Sequence, residues 1–314
     1  MPSAAVLDAT VHRPGDAPTD RRGRVDRTWL VALAAATWGL DGLLRKPLSH
    51  QLSAATLVFA EHALALLLLL PLLPSALRAL ARCSWRARLS VLGIGAGASA
   101  GATVLFTRAF ATGDAITPVV LQKTQPLVAI ALAALLLGER PRRVFAVFGL
   151  PALAGAWLLT FPDPFQVSLT AARPALLALA AAALWGAGTV LGRIVGAEIG
   201  PREVTTLRFA IGLPAAALIV AATGAGFSVA RSDLPSVGAL AWIPGLLALE
   251  LYYAGLRCTA ATRATLAELC YPVTGAILGV AFLGARLGPS QWAGAVLVVG
   301  SVTALALFER RATR

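Results

Sequence analysis

Ten stretches of about twenty residues each are dominated by alanine, leucine and glycine, at 29–47, 53–73, 89–110, 115–137, 143–161, 174–193, 203–223, 236–256, 264–284 and 289–308. Roughly twenty apolar residues in helical form match the hydrocarbon thickness of a bilayer. No strand-like alternation runs through the stretches, and lipid requires backbone groups to be satisfied within each segment, so they are expected to be helices. The wider composition agrees. Hydrophobic residues make up 58% of the 314 positions and charged residues only 13%, about half the usual charged share of a soluble domain. The mean hydropathy is +0.76. The chain is expected to be an all-α integral membrane protein.

The net charge is +12, a balance that in a soluble protein would suggest nucleic acid. Here the arginines fall in short gaps between apolar stretches and not on a basic face with stacking aromatics, so no nucleic-acid partner is expected. With both ends on one side of the membrane, 19 Lys/Arg lie on that side, five on the other and three inside spans. Lys/Arg excess marks the cytoplasmic side, which predicts cytoplasmic termini, in a plasma membrane of the bacterial inner type. Residues 1–28 are polar and Arg-rich and are expected to form a disordered cytoplasmic tail, and 309–314 a cytoplasmic tail at the other end. Cys83, Cys258 and Cys270 show no disulfide or metal pattern, and His12, His50 and His62 are scattered. No metal and no cofactor are expected. No G-x-x-x-x-G-K-[ST] run occurs, which excludes a P-loop ATPase in this chain.

The sequence repeats itself. Trp38-Gly39 recurs as Trp185-Gly186 and Glu61 is answered by Arg208, both 147 residues on. Pro126 recurs as Pro272 (146 on), Gly149 as Gly294 and Gly155 as Gly300 (145 on). Residues 29–161 and 174–308 thus form two five-span units, with 162–173 as an external linker. Five is odd, so the second unit would enter the membrane upside down. Ten transmembrane helices as two inverted five-helix repeats are the predicted architecture, and such repeats enclose a substrate site near the midplane in secondary transporters.

These landmarks carry a resemblance. "TWGLDGLLRK", "TQPLVAIALAALLLGERP", "LWGAGTVLGR", "TTLRFA" and "LCYPVTGAILGVAFLGARL", in that order and spacing, are similar to the EamA-type branch of the drug/metabolite transporter superfamily. The resemblance covers about residues 29–308. It implies two inverted halves, a central cavity and the export or exchange of a small metabolite. The chain departs from the pattern at Glu61, where such repeats often carry arginine, and at Gly284-Ala285, where the first half has Gly138-Glu139.

Charge inside a span is expensive and normally faces a wet cavity or a protein partner. Lys123, with Gln122, Thr124 and Gln125 beside it and Pro126 following, is expected to face the cavity. At an offset of 146, Glu268 aligns with Gln122, so the two halves present opposite charges at similar depth; together they would suit a zwitterion such as an amino acid, or hold each other. Glu250, beside Tyr252 and Tyr253, could line a polar patch and carry a proton, or be a hydrogen-bonded carboxyl that packs two helices. Asp41 could line the cavity or pair with Arg45 or Lys46. Glu61, His62 and Arg208 are expected to be structural, and Gly97 and Gly101 form a G-x-x-x-G step expected to bring helices close. The candidate substrate-binding residues are therefore Lys123, Glu268, Glu250, Gln122, Asp41 and Tyr252, in a secondary transporter, with a membrane enzyme acting on a lipid as the competing reading. The expected partners are a small-molecule substrate and the bilayer; a homodimer stays open.

Overall fold

A computed structural model describes residues 26–49, 51–112, 121–122, 124–139, 143–160, 163, 172–283 and 287–312. Among these residues every regular element is helical. Nine stretches are apolar enough to lie in lipid. Five are long: Ala54–Arg82, Trp85–Ala109, Ala175–Val195, Pro201–Thr223 and Leu234–Leu256. Four are shorter: Gln125–Leu137, Ala146–Leu158, Cys270–Phe282 and Pro289–Leu305. Large apolar side chains point outward, with Leu135 79%, Phe282 72% and Leu218 71% exposed. A water-facing surface would not carry such a continuous coat; hydrocarbon is the solvent that fits.

The first apolar stretch is two helices, α1 (Thr28–Trp38) and α2 (Asp41–Ser49), separated by a turn at Gly39 and Leu40. The second, α3 (Ala54–Leu69), is capped by Ser53, passes through a 3-10 turn at Leu70–Leu72 and continues as α4 (Leu73–Arg82). This runs nine residues past the expected end at 73. Pro71 and Pro74 did not stop it, because each falls at the start of a fresh helical turn, where its missing N–H is not needed.

Next come α5 (Trp85–Leu92), a π-helical stretch at Gly93–Gly101 and α6 (Ala102–Thr112). The first half closes with α7 (Gln125–Leu137), ended by left-handed Gly138 at φ 66°, and α8 (Arg143–Thr160). The second half comprises α9 (Ala172–Val195), α10 (Pro201–Thr223), α11 (Leu234–Leu240), a second π-helical stretch at Ala241–Leu247, and α12 (Ala248–Leu256). It ends with α13 (Ala261–Ala267), a turn at Glu268 and Leu269, α14 (Cys270–Leu283) and α15 (Pro289–Ala312). The π-helical stretches begin 148 residues apart, at Gly93 and Ala241, so they fall at matching places in the two halves.

Helix pairing follows the same exchange. The α1–α12 contact has its counterpart in α9 against the π-helical stretch and α6; α1–α14 has its counterpart in α9–α7. The α3–α10 and α8–α15 pairs map onto themselves. Small residues permit the closest approaches. A Cβ on Gly155 would sit 2.7 Å from Gly294 O, and one on Gly188 2.5 Å from the Ala98 Cβ. The expected Gly97/Gly101 step is not the tight one: a Cβ on Gly97 would meet nothing nearer than 3.5 Å, whereas one on Gly95 would meet Ile211 at 2.6 Å. The π-helical winding there turns a different glycine toward the neighbour than an α-helical count would.

Candidate functional site

Both halves contribute residues to one open cavity. Its wall holds both matched landmark pairs, Trp38 with Trp185 and Glu61 with Arg208. Three polar clusters face it.

The first is ionic. The break at Gly39 and Leu40 starts α2 at Asp41, and Arg45 follows one turn later on the same face, the spacing at which side chains meet on a helix. Arg45 Nε donates to Asp41 Oδ2 and Nη2 to Asp41 Oδ1, both at 2.7 Å. Nη2 also donates to Glu61 Oε2 at 3.0 Å. One guanidinium thus serves two carboxylates from two helices. Its remaining nitrogen, Nη1, is buried without a hydrogen-bond partner.

The second is built around Glu268, in the turn between α13 and α14. Tyr252 Oη lies 3.0 Å from Glu268 Oε1 and 2.9 Å from Thr189 Oγ1, and Thr189 Oγ1 lies 3.3 Å from that same carboxyl oxygen. Gln125 Nε2 donates to Oε2. Four elements, α7, α9, α12 and the α13–α14 turn, therefore converge on one carboxyl, and each partner is a neutral group. Gln122, one turn before Gln125, also lines the cavity, and its buried Oε1 has no hydrogen-bond partner.

The third joins α3, the first π-helical stretch and α10. His62 Nδ1 lies 2.8 Å from Val58 O; a carbonyl only accepts, so this nitrogen carries a proton. Ser99 Oγ accepts from Arg208 Nε at 3.0 Å, which leaves its own proton for His62 Nε2 at 2.8 Å. Arg208 completes its fork on Tyr253 Oη (3.1 Å) and Ala98 O (3.3 Å).

Between these clusters the wall is aromatic. Trp38 pairs with Tyr252 at 5.2 Å and Phe106 with Trp185 at 5.0 Å between ring centroids. Exchanging the halves turns one pair into the other, since Trp185 follows Trp38 by 147 residues and Tyr252 follows Phe106 by 146. The Trp38 indole N–H also donates to Pro244 O at 2.9 Å, in the second π-helical stretch.

Of the residues expected from sequence, Asp41, Gln122, Tyr252 and Glu268 line this one cavity. Lys123 lies outside the described residues. Glu250 is not part of the wall; it sits beside Thr205 and Arg202, near the start of α10. The reason is angular. Two residues along a helix is about 200° of rotation, so with Tyr252 turned inward Glu250 faces away. Asp41 takes the pairing expected with Arg45 as well as a place on the wall. Arg45 was expected only as a partner of Asp41, and Gln125 only as a polar neighbour of Lys123; Thr189 and Ser99 are additions from the structure. Thr189 and Ser99 had no sequence signal, because hydroxyls are ordinary in transmembrane helices. Among the described residues no His/Cys/Asp/Glu grouping is suited to a metal ion, and the three cysteines are free.

Away from the cavity, charged groups also tie the halves together. Glu139 Oε2, just past Gly138, accepts from Ala261 N at 3.0 Å and so caps α13. Its other oxygen lies 3.9 Å from Arg193 Nε. Asp26 Oδ2 accepts from Arg263 Nη1 at 2.7 Å.

Comparison with known proteins places this geometry in context. The sequence pattern of the EamA-like transporter family matches residues 28–161 and again 172–307. Over 290 residues the chain is 33% identical to the riboflavin transporter ImpX of Fusobacterium nucleatum, covering 87% of this chain and 95% of that one. It is 29% identical over 196 residues to the uncharacterized transporter YwfM of Bacillus subtilis, covering 62% of this chain and 66% of the relative. A crystal structure of a protein 20% identical to it superposes with a TM-score of 0.73, over 90% of this chain and 98% of the other.

Proposed function

Since this chain belongs to the EamA-like transporter family, we propose that it is a secondary transporter moving a small amphipathic metabolite of the flavin type by alternating access. In this reading ten transmembrane helices form two inverted five-helix halves with both ends cytoplasmic, and the cavity between the halves is the substrate site. The observation that carries it is the shared wall. Matched residues of the two halves, Trp38 with Trp185 and Glu61 with Arg208, meet around one cavity. The exchange-related helix pairs and π-helical stretches support a two-fold relation.

The flavin comes from the relative named a riboflavin transporter, and the wall suits such a molecule. Two aromatic pairs offer faces for a planar ring. Convergent polar groups fix orientation in an otherwise apolar pocket, as small-molecule sites generally do. The candidate binding residues are Asp41, Gln122, Tyr252 and Glu268, with Lys123 retained from the sequence. Export and proton coupling belong to the same reading.

Purified protein in proteoliposomes tests it, with riboflavin flux followed by fluorescence in both directions, with and without a pH gradient, beside a panel of amino acids. The expected result is saturable flux with riboflavin–riboflavin counterflow. Saturable amino-acid flux without flavin flux would return the substrate to the zwitterion that Lys123 and Glu268 suggest. Turnover of a lipid would favour an enzyme.

A further inference from the structure

Two side chains that line the cavity each hold a buried polar atom that stands apart from its neighbours. Gln122 Oε1, an acceptor, and Arg45 Nη1, a donor, are buried without hydrogen-bond partners. The surrounding polar groups are engaged: Glu268 by Gln125, Tyr252 and Thr189, Arg208 by Ser99, Tyr253 and Ala98 O, His62 by Val58 O and Ser99. Buried polar groups in folded proteins are almost always satisfied, and those that are not call for a specific explanation. A ligand that completes both is such an explanation.

The charge pattern narrows that ligand. Arg45 is shared by two carboxylates, so its free N–H belongs to a group whose net charge is negative. Among the described residues the wall carries Asp41, Glu61 and Glu268 against Arg45 and Arg208. An anion arriving at Arg45 Nη1 meets a guanidinium already shared by Asp41 and Glu61, and like charge brought together in a buried site is strongly disfavoured. A neutral carbonyl can accept from Arg45 Nη1 at no such cost.

We infer that Gln122 is a specificity-determining residue: its Oε1 accepts a hydrogen bond from the ring edge of an uncharged planar substrate, in a site that refuses the anionic form of the same molecule. This rests on the transport reading above and deepens it. In a flavin, the ring imide N–H flanked by two carbonyls is the group that supplies such a donor, and the phosphate ester is the form excluded.

The test is a cycle between protein and ligand. Binding of riboflavin, N3-methylriboflavin and flavin mononucleotide is measured by fluorescence quenching in the wild type and in Gln122→Met, which keeps the side-chain length and removes the acceptor. Gln122→Met weakens riboflavin about tenfold, and N3-methylation weakens the wild type by a similar factor, as for one hydrogen bond in a buried site. N3-methylation costs Gln122→Met nothing further, and Gln122→Glu, which restores an acceptor, recovers riboflavin binding. The mononucleotide binds the wild type at least about 100-fold more weakly than riboflavin. Additive losses from methylation and Gln122→Met would overturn the contact. Equal binding of riboflavin and its phosphate in the wild type would overturn the exclusion, and a Lys123→Gln variant that then rejected the phosphate would assign the anion to Lys123 instead. No flavin binding in wild type that gives saturable flux of another metabolite would overturn both the flavin reading and the inference built on it.

Discussion

Glu61 and Arg208 sit at matching places in the two halves, line the same cavity and carry opposite charges. Each is accommodated differently. Glu61 finds its counter-ion within its own half, in Arg45 one helix earlier. Arg208 rests on a serine hydroxyl and a carbonyl of the other half, Ser99 and Ala98, and on one tyrosine of its own, Tyr253. The aromatic pairs diverge in the same way. Tyr252 sends a hydroxyl to Glu268, while Phe106, its counterpart beside Trp185, has none to send. The scaffold repeats the place at which a polar group enters the cavity; neighbours outside the repeat decide its sign and its partner. Even the breaks differ, since the first apolar stretch is interrupted at Gly39 while α9 runs unbroken through Gly186.

Four measurements test this contrast. The largest effect belongs to Arg45. Arg45→Met strands two carboxylates and lowers stability by about 3–5 kcal/mol, as for a broken buried ion pair, whereas Arg208→Met leaves only neutral partners and costs about 1–3 kcal/mol. Thermal unfolding in detergent measures both, and equal losses would erase the distinction. Next is packing. Gly155→Ala forces a methyl to within 2.7 Å of Gly294 O and 3.0 Å of Leu297 Cβ, while Gly300→Ala, its counterpart, meets nothing within 4 Å. The first costs about 1–3 kcal/mol by overpacking and the second is neutral; unfolding midpoints of the two variants decide.

Third, Glu139→Ala removes the cap of α13 and costs about 1 kcal/mol, visible as faster hydrogen exchange at the first amides of α13. The matching position of the second half is Ala285, which lies outside the described residues. The smallest effect is at Glu198, in the turn after α9. Its carboxylate is held below the usual value of 4.5 by the Ser84 hydroxyl first and the Ser84 N–H second. A lowered folded value adds stability above pH 4.5 that is lost as pH falls through it. The site is exposed, so Glu198→Gln shifts the midpoint by no more than about 1 °C at neutral pH, and the difference from wild type closes in acid.

Much of this was legible beforehand because lipid leaves few alternatives: about twenty apolar residues without alternation have to be a helix. The doubled landmarks point to residues that meet at the cavity, and the polar positions within the apolar stretches include four that line it, Asp41, Gln122, Tyr252 and Glu268. Three kinds of feature were hidden. At the break, Gly39 meets Thr274 of another helix, where a Cβ would lie 2.6 Å from the threonine Cβ, and no local sequence signal announces that approach. The π-helical stretches change which residue faces where by a fraction of a turn, which composition does not register. Glu250 lies off the wall because two positions from Tyr252 is about 200° of rotation, which proximity in sequence does not register.

Ala261, whose N–H Glu139 accepts, and Glu268 lie seven positions apart, and α13 fills the interval. At 1.5 Å per residue that helix is about 10 Å long, so the charge that caps it and the carboxyl it delivers to the cavity sit at opposite ends of a single short helix.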